Sequence, residues 1–283
     1  MVINTMFVIT IIHRMSYLFW FVAIMTFPRL ALSRILVTRS GAYCDKTSVV
    51  FLNSNKFFKD KSVISLSPAG FYGFYVMGTC AYMKENYDLS DKVFSGASAG
   101  AWNALFLTLK TDPHFMTHLL VKPYPNKNVF EIELEMKDQL LKYYQTRDFD
   151  LERLFIGVTT LGQTCIYTDF ENLEDAIDCC IASSHIPIVT GAPFVQRYRD
   201  QFCVFDGGFS KYPYINSNRV ALHVSPKMWG QNQDMRYHLF KKDEFDLEEL
   251  FRRGYRDTVL YGQKTLDKAL TPRKANETSK SLL

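Results

Sequence analysis

The chain has 283 residues, which fits one large domain or at most two small ones. Hydrophobic residues make up 47% and charged residues 22%, as in a folded globular protein with a sizeable core. The net charge of +4 is small and is not gathered into a basic run, so the composition argues against a nucleic-acid partner.

Two apolar runs stand at the N-terminus, Met6–Ile12 and Tyr17–Phe27, with His13 and Arg14 between them. Neither run reaches the ~20 residues that a helix needs to span a bilayer. Together they are long enough, with Arg14 near the middle at a cost of about 2.5–3.5 kcal/mol. We therefore set residues 1–40 apart as an apolar segment that is either a signal peptide or a membrane anchor.

The fate of this segment decides where the main domain lies. Arg29, Arg34 and Arg39 follow the apolar run, so the positive-inside tendency places the main domain on the cytoplasmic side if the segment is retained. On this basis we expect a membrane-associated protein. The alternative is a secreted protein, with Tyr17–Phe27 as the apolar part of a cleaved signal peptide. Translation from Met15 would favour this alternative.

From about residue 48 onwards, strand patterns and helix patterns alternate. In chain order they are strands Val49–Leu52 and Val63–Leu66, helix Phe71–Glu85, strand Val93–Phe94, helices Ala99–Leu109 and Phe130–Tyr144, strands Leu154–Thr160 and Thr164–Tyr167, helix Asn172–Ser184, strands Phe202–Phe205 and Arg219–Val224, and a long amphipathic helix Asp246–Leu270. This alternation predicts an α/β fold built on a layered sheet. We assign residues 41–271 to this domain and residues 272–283 to a polar tail.

The segment from Gly96 to Gly100 reads Gly-Ala-Ser-Ala-Gly and matches the pattern G-x-S-x-G. It follows a short strand pattern and opens the helix Ala99–Leu109, which is the context in which this pattern holds a nucleophilic serine. A serine on a sharp strand-to-helix turn has a strained backbone and needs small neighbours. The positive end of the following helix favours negative charge on the Ser98 oxygen. By itself, the pattern also fits a tight turn without chemistry.

Strand Val63–Leu66 leads into a turn of small residues, 67–70, and then into a helix. Backbone N–H groups at the start of a helix have no intrahelical partner, so they can hold an anion. In acyl transfer this anion is the oxygen of the tetrahedral intermediate, and the loss of one donor costs ~2.7–4 kcal/mol. An ordinary strand-to-helix turn has the same pattern.

Asp206 follows the strand pattern Phe202–Phe205 and precedes Gly207 and Gly208. An acid at the end of a strand can face a site at the carboxyl edge of an open α/β sheet. If Asp206 contacts Ser98 directly, it can take the hydroxyl proton without a histidine, provided that burial raises its pKa. In isolation, Asp-Gly-Gly is more often only a turn.

Together, these segments resemble the patatin-like phospholipases. The matching segments, in the family's order and spacing, are Ile64–Gly73 (ISLSPAGFYG), Val93–Ala101 (VFSGASAGA), Ala182–Pro187 (ASSHIP) and Asp206–Gly208 (DGG). The resemblance spans about Val63 to Pro213, and the run Phe71–Tyr75 is most similar to the triglyceride-lipase branch. It implies a three-layer α/β/α fold with a central, mostly parallel sheet.

The resemblance also implies an activity, namely hydrolysis of fatty-acyl esters of phospholipids or acylglycerols. It implies that Ser98 attacks the ester carbonyl and that Asp206 accepts and returns the proton. The N–H groups of Ala69, Gly70 and Phe71 would hold the oxyanion. Lipids of a membrane or a lipid droplet would be the substrate, and the chemistry would need no metal and no cofactor.

The chain departs from the family at Pro68, where the family loop usually has glycine. Proline has no N–H to donate. If the essential donors are Ala69 and Gly70, activity survives this change, because both keep their N–H groups. If they are not, the protein is impaired.

Two other functions remain open. An α/β-hydrolase esterase would use a triad of Ser98, Asp206 and either His223 or His238, which is the chain order of that fold. No motif frames either histidine, which argues against this triad. A catalytically silent, lipid-binding membrane protein is suggested by Pro68 and the apolar N-terminus, whereas the intact Ser98 and Asp206 argue against it.

Overall fold

The computed structural model describes residues 42–44, 61–160, 163–191, 193–199, 201–209, 220–231 and 245–273. The apolar segment 1–40, the strand predicted at Val49–Leu52 and His238 lie outside these residues. None of the helices in the described ranges combines the length and the apolar character that crossing a membrane requires. All four segments that resemble the patatin-like family lie within the described ranges.

The centre of the domain is a six-stranded, mostly parallel sheet. The described strands are β1 (Ala42–Cys44), β2 (Ser62–Leu66), β3 (Tyr87–Asp88), β4 (Lys92–Ala97), β5 (Leu154–Thr160), β6 (Gln163–Tyr167), β7 (Gln196–Tyr198), β8 (Gln201–Val204), β9 (Val220–Val224) and β10 (Thr271–Pro272). The order in the central sheet is β1-β6-β5-β4-β2-β9. Strands β5, β4, β2 and β9 run parallel, and β6 is antiparallel to both of its neighbours. The predicted α/β fold with a mostly parallel sheet is confirmed.

The side chains of the central sheet alternate between two faces. On one face Ile64, Phe94 and Ile156 join the main hydrophobic core. On the other face a small separate cluster consists of Val63, Val93, Phe155 and Ile166. In the described ranges, every buried apolar helix residue belongs to the main core, so a helical layer on the second face stays a prediction.

Seven α-helices are described, and most of them pack on the main core. They are α1 (Gly73–Asn86), α2 (Ala99–Thr108), α3 (Pro113–Leu120), α4 (Val129–Tyr143), α5 (Leu173–Ser183), α6 (Leu247–Tyr261) and α7 (Gln263–Ala269). The four helices predicted before residue 185 are confirmed within two residues at each end. Asn172 caps α5 as predicted, because its side chain accepts a hydrogen bond from the N–H of Asp175 at 3.0 Å.

The structure differs from the sequence-based expectation in several elements, including the short strands β1, β3, β7 and β10, which were not predicted. The helix predicted over Asp246–Leu270 is two helices, α6 and α7, which are separated at the weak helix former Gly262. The strand predicted at Phe202–Phe205 is β8, which pairs with β7 in a small separate sheet and not with the central one. Helix α3 was not predicted, although Asp112 as N-cap and Pro113 at the first helical position are a start signal.

Helices α1 and α6 approach each other closely at two glycines. A Cβ atom on Gly254 would lie 1.9 Å from the carbonyl oxygen of Tyr75, and one on Gly78 would lie 2.1 Å from the carbonyl oxygen of Phe251. The Tyr75 hydroxyl also donates a hydrogen bond of 2.8 Å to Asp257 on α6. Backbone contact between these helices therefore depends on the absence of a side chain at both glycines.

We expect Gly254→Ala to lower the free energy of unfolding by about 1–3 kcal/mol, because overpacking forces the helices apart. If the helices were not in contact here, replacing glycine by alanine in the helix interior would raise the free energy of unfolding by ~1 kcal/mol. The sign of the change therefore shows whether the close contact exists. Urea unfolding measures it. The control is Arg252→Ala on the same helix, where the side chain is 63% exposed. A stabilising Gly254→Ala would contradict the close approach of the two helices.

Candidate active site

Ser98 stands at the turn between β4 and α2. Its backbone has φ 55° and ψ −132°, a conformation that residues with a side chain rarely adopt. The turn is also tight, since a Cβ atom on Gly96 would lie 2.1 Å from the carbonyl oxygen of Gly100. A Cβ atom on Gly100 would lie 2.4 Å from the carbonyl oxygen of Leu66 at the end of β2. The structure thus places Ser98 on a strained strand-to-helix turn that only small neighbours allow.

Asp206 is the direct hydrogen-bond partner of Ser98. The Ser98 hydroxyl donates to Oδ2 of Asp206 at 2.6 Å, and Oδ1 accepts from the N–H of Gly208 at 2.6 Å. Both side chains are buried. Burial raises the pKa of Asp206 to about 6, and the hydrogen bonds from Ser98 and Gly208 oppose this rise. The carboxylate is therefore a stronger base than an exposed one and is still ionised at neutral pH.

Three backbone contacts hold Asp206 in this position. Phe205 exchanges hydrogen bonds of 3.0 and 2.7 Å with Thr159 on β5. The N–H of Asp206 donates to the carbonyl oxygen of His185 at 2.7 Å. A Cβ atom on Gly207 would lie 2.1 Å from the carbonyl oxygen of Gly157 on β5. Asp206 thus lies at the end of β5 in the central sheet, although the strand that precedes it, β8, belongs to the small sheet with β7. The expectation that this strand is part of the central sheet is corrected.

The turn after β2 lies beside the pair. Residues Gly70–Tyr72 form a 3-10 helix that leads into α1, and Gly70 has φ 53°. Gly70 and Phe71 line the same cleft as Ser98, whereas Ala69 is not part of the lining. Their N–H groups are at the start of a helix and have no intrahelical partner. Ala99, the first residue of α2, also lines the cleft and adds a donor that the sequence-based prediction did not include.

Pro68 contacts the segment that carries the acid. A Cβ atom on Gly208 would lie 3.1 Å from both Cβ and Cγ of the Pro68 ring. The proline at the family's glycine position therefore packs against the Asp-Gly-Gly turn.

A narrow apolar cleft opens at Ser98. It lies between the start of α1, helix α2 and helix α4. Its lining is formed by Gly70, Phe71, Gly73, Phe74, Met77, Ser98, Ala99, Trp102, Asn103, Val129, Ile132, Glu133, Met136, Ser184 and Thr190. The apolar lining of this cleft suits the hydrocarbon part of a ligand.

Glu133 is a buried acid in the wall of this cleft. Its Oε1 accepts a hydrogen bond of 3.0 Å from the indole N–H of Trp102, and its carboxyl is also hydrogen-bonded to the Ser184 side chain. Burial raises the pKa of Glu133 to about 8, and the nearby charge of Asp206 adds to this rise. Glu133 is thus protonated at neutral pH. The sequence contains a pattern that could have indicated the burial of Glu133. It is an acidic residue between Ile132 and Met136 on the apolar face of α4.

Ser183 holds the backbone of Ser98 in place. Its hydroxyl accepts a hydrogen bond of 2.7 Å from the N–H of Ser98 and donates one of 2.7 Å to the carbonyl oxygen of Gly157. The Ser98 N–H is therefore occupied and is not an oxyanion donor. Ser183 lies in the segment ASSHIP, but its contact with Ser98 spans 85 residues and no local pattern predicts it.

We expect Ser183→Ala to lower the free energy of unfolding by about 1–3 kcal/mol, because it leaves the buried Ser98 N–H without a partner. A displaced nucleophile should also lower kcat by up to roughly 100-fold. Urea unfolding and a rate assay measure the two effects. The matched control is Thr108→Val, which removes a buried hydroxyl that bonds only within its own helix. Equal effects of the two substitutions would contradict a special role of Ser183.

Of the two histidines of the alternative triad, His223 lies in the described structure and contacts Ser65 rather than the Ser98–Asp206 pair. Nδ1 of His223 is 2.6 Å from the hydroxyl oxygen of Ser65 on the neighbouring strand β2. His185 is buried, which lowers its pKa, and its ring stacks on Phe205. His238 lies outside the described residues.

Comparison of the chain with protein-family models, with curated protein sequences and with solved structures found no match. The resemblance to the patatin-like phospholipases therefore depends on the four motif segments. What the site can do chemically follows from the arrangement of Ser98, Asp206 and the cleft.

Proposed function

We propose that the protein is a serine lipid acyl hydrolase of the patatin-like type, which cleaves fatty-acyl ester bonds of phospholipids or acylglycerols. The observation that carries this proposal is the direct 2.6 Å hydrogen bond from the strained Ser98 to the buried Asp206. The apolar cleft at Ser98 supports a lipid as substrate. A three-layer α/β/α fold and association with a membrane or lipid droplet belong to the same proposal.

The first half-reaction forms an acyl-enzyme. Asp206 takes the Ser98 proton as the serine oxygen attacks the ester carbonyl, and the carbonyl oxygen becomes an oxyanion. The N–H groups of Gly70 and Phe71, at the start of a helix, and of Ala99, at the start of α2, are the proposed donors to this oxyanion. The intermediate then expels the alcohol, which takes the proton back from Asp206, and the acyl group stays on Ser98.

The second half-reaction uses the same groups on water. Asp206 removes a proton from a water molecule as that water attacks the acyl-enzyme carbonyl. The second tetrahedral intermediate collapses, Ser98 leaves with the proton held by Asp206, and the fatty acid is released. The raised pKa of Asp206 suits a group that must both accept and return a proton.

Fatty-acid release from lipid tests the proposal. The full chain is incubated with vesicles of phosphatidylcholine and with triacylglycerol emulsions, beside Ser98→Ala. We expect release by the wild type, loss of release in Ser98→Ala, and labelling of the wild type alone by an alkyl fluorophosphonate. Equal release by Ser98→Ala would contradict the nucleophile. Vesicle binding without release or labelling would identify a silent lipid binder, and activity regained by Pro68→Gly would then trace the loss to the loop.

A further inference from the structure

Exposed apolar side chains are concentrated in one segment of the chain. In the described residues, thirteen large apolar or aromatic side chains are exposed, and five of them lie between residues 188 and 202. These five form what we call the rim patch: Ile188, Val189, Phe194, Val195 and Phe202. Single exposed apolar side chains are common on protein surfaces, whereas a concentration of them is typical of a surface that binds a partner or a membrane.

The rim patch begins at the wall of the cleft. Ser184 and Thr190 both line the cleft. Between them in the chain stand Ile188 and Val189, which are 72% and 50% exposed. Ile188 is two residues from Thr190, so their Cα atoms are at most about 7 Å apart. The N–H of Phe130 on α4 donates a hydrogen bond of 2.8 Å to the carbonyl oxygen of Thr190, which fixes this segment at the start of α4. Apolar surface therefore continues from the cleft wall to the outside of the protein.

Ile188 is held in a backbone conformation that its side chain disfavours. Its φ is 71°, in a region that β-branched residues rarely adopt. The turn around it is fixed by hydrogen bonds, since the carbonyl oxygen of Ile186 accepts from the N–H groups of Val189 at 3.1 Å and Thr190 at 3.0 Å. An exposed side chain adds little to the core, so the fold gains nothing from a strained isoleucine here. Strained residues of this kind are concentrated at functional sites.

The charge next to the rim patch is positive. Within residues 179–198, Arg197 is the only Lys, Arg, Asp or Glu residue, and it is exposed. It is paired with Phe202 across β7 and β8, and its guanidinium lies 4.6 Å from the centre of the Phe202 ring. Of the two charged residues that follow, Arg199 is engaged in an ion pair and Asp200 lies outside the described residues. A guanidinium beside exposed apolar side chains suits the phosphate groups at the surface of a phospholipid layer.

We propose that the rim patch docks onto the surface of a phospholipid layer, with its apolar side chains among the acyl chains and Arg197 at the phosphates. The inference rests on the proposed function, because docking here brings the cleft at Ser98 to its lipid substrate. Apolar surface beside an apolar cleft lets an acyl chain enter the cleft with little exposure to water. A specific protein interface adds many directional hydrogen bonds, for which the five side chains of the rim patch have no groups.

Tryptophan reporters test which surface of the protein meets lipid. The full chain carries Ser98→Ala, so that no lipid is consumed, and receives either Phe194→Trp or Phe202→Trp in the rim patch. The matched control is Phe115→Trp, since Phe115 is an exposed phenylalanine on α3. Each chain is mixed with vesicles of phosphatidylcholine and phosphatidylglycerol, with and without bromine on the acyl chains. The emission of the parent chain, which contains three tryptophans, is subtracted.

We expect brominated lipid to quench the added emission at least about 2-fold for both reporters in the rim patch, because apolar side chains at such an interface lie about 5–10 Å deep. The added emission of Phe115→Trp should not change. Absence of quenching at either position of the rim patch, or equal quenching of all three reporters, would overturn the proposal. Because quenching needs no turnover, failure of the proposed hydrolase activity and failure of docking are separate outcomes.

A charge in the rim patch should prevent docking. In the chain with Phe194→Trp, Ile188→Asp should weaken partition of the reporter into lipid roughly 10-fold, because an apolar side chain is lost from the contact. Aspartate adopts a positive φ more readily than isoleucine, so urea unfolding should show no loss of stability. The control is Leu260→Asp on α6, where the side chain is 62% exposed.

Three results would overturn the proposal at this stage. Quenching could persist unchanged in Ile188→Asp, or Leu260→Asp could reduce it equally. The chain could also sediment as a dimer without lipid and as a monomer after Ile188→Asp, which would assign the rim patch to a second copy of the chain.

Discussion

Asp206→Asn is expected to lower kcat/KM for ester hydrolysis by roughly 10²–10⁴-fold, the usual contribution of a general base. Asparagine has nearly the same shape, so the turn at Gly207 and Gly208 should fold as before. It cannot take the Ser98 proton, however, and the 2.6 Å hydrogen bond from the serine hydroxyl would lose its charged acceptor. Initial rates on a soluble short-chain ester measure the effect apart from binding to a lipid surface.

His223→Ala is the matched comparison for this experiment. In the structure His223 contacts Ser65, so a Ser98–Asp206 dyad predicts a rate within about 3-fold of the wild type for this variant. A triad predicts a loss as large as that of Asp206→Asn. A large loss in His223→Ala together with a small loss in Asp206→Asn would contradict the dyad.

The pH dependence of the rate should be bell-shaped, and the two buried acids define its limbs. Asp206 acts as a base only when ionised, so activity should rise as the pH passes its pKa of about 6. Glu133 lines the same cleft, and its burial raises its pKa to about 8. Above this pH its carboxylate would add a negative charge beside the oxyanion and Asp206, and activity should fall.

Glu133→Gln is expected to remove the alkaline limb and to leave the acid limb near pH 6 in place. Glutamine resembles the protonated acid, since it can accept from the Trp102 indole and donate to Ser184. A profile of kcat/KM from pH 5 to 10 measures the change. An alkaline limb that persists unchanged in Glu133→Gln would contradict the assignment to Glu133.

The same substitution should change how stability depends on pH. The ordinary pKa of 4.5 for Glu133 is raised to about 8 in the folded protein. Between pH 4.5 and about 8, Glu133 therefore keeps its proton in the folded state but has lost it in the unfolded state. The free energy of unfolding consequently falls as the pH rises through this range. Glu133→Gln does not titrate, so its Tm should exceed that of the wild type by a margin that grows from pH 5 to 8.

Local features of the site and the fold could be predicted from the sequence because they depend on neighbouring residues. The turn at Ser98 follows from glycines on either side and from the change from a strand pattern to a helix pattern. Helices α4 and α5 follow from their apolar periodicity, α1 and α2 follow from long apolar runs, and the cap at Asn172 follows from residue type. The alternation of these elements was enough to predict an α/β layered sheet, and the resemblance to the patatin-like family implied that this sheet is mostly parallel.

Other features depend on residues that are far apart in the chain. Ser98 and Asp206 are 108 residues apart, and only the fold brings their oxygens to 2.6 Å. The pairing of β8 with β7 instead of the central sheet also depends on the whole fold. The residue pattern of a strand does not show which sheet the strand joins.

The sequence by itself pointed to Ser98 and Asp206 as candidate catalytic residues, since both stand in motifs of small residues with a recognisable spacing. Only the tertiary structure decided their environment. The pKa of Glu133 and the support of Ser98 by Ser183 arise from burial and from contacts across several elements. Desolvation and hydrogen bonding are properties of the packed interior, and a linear pattern of residue types does not contain them.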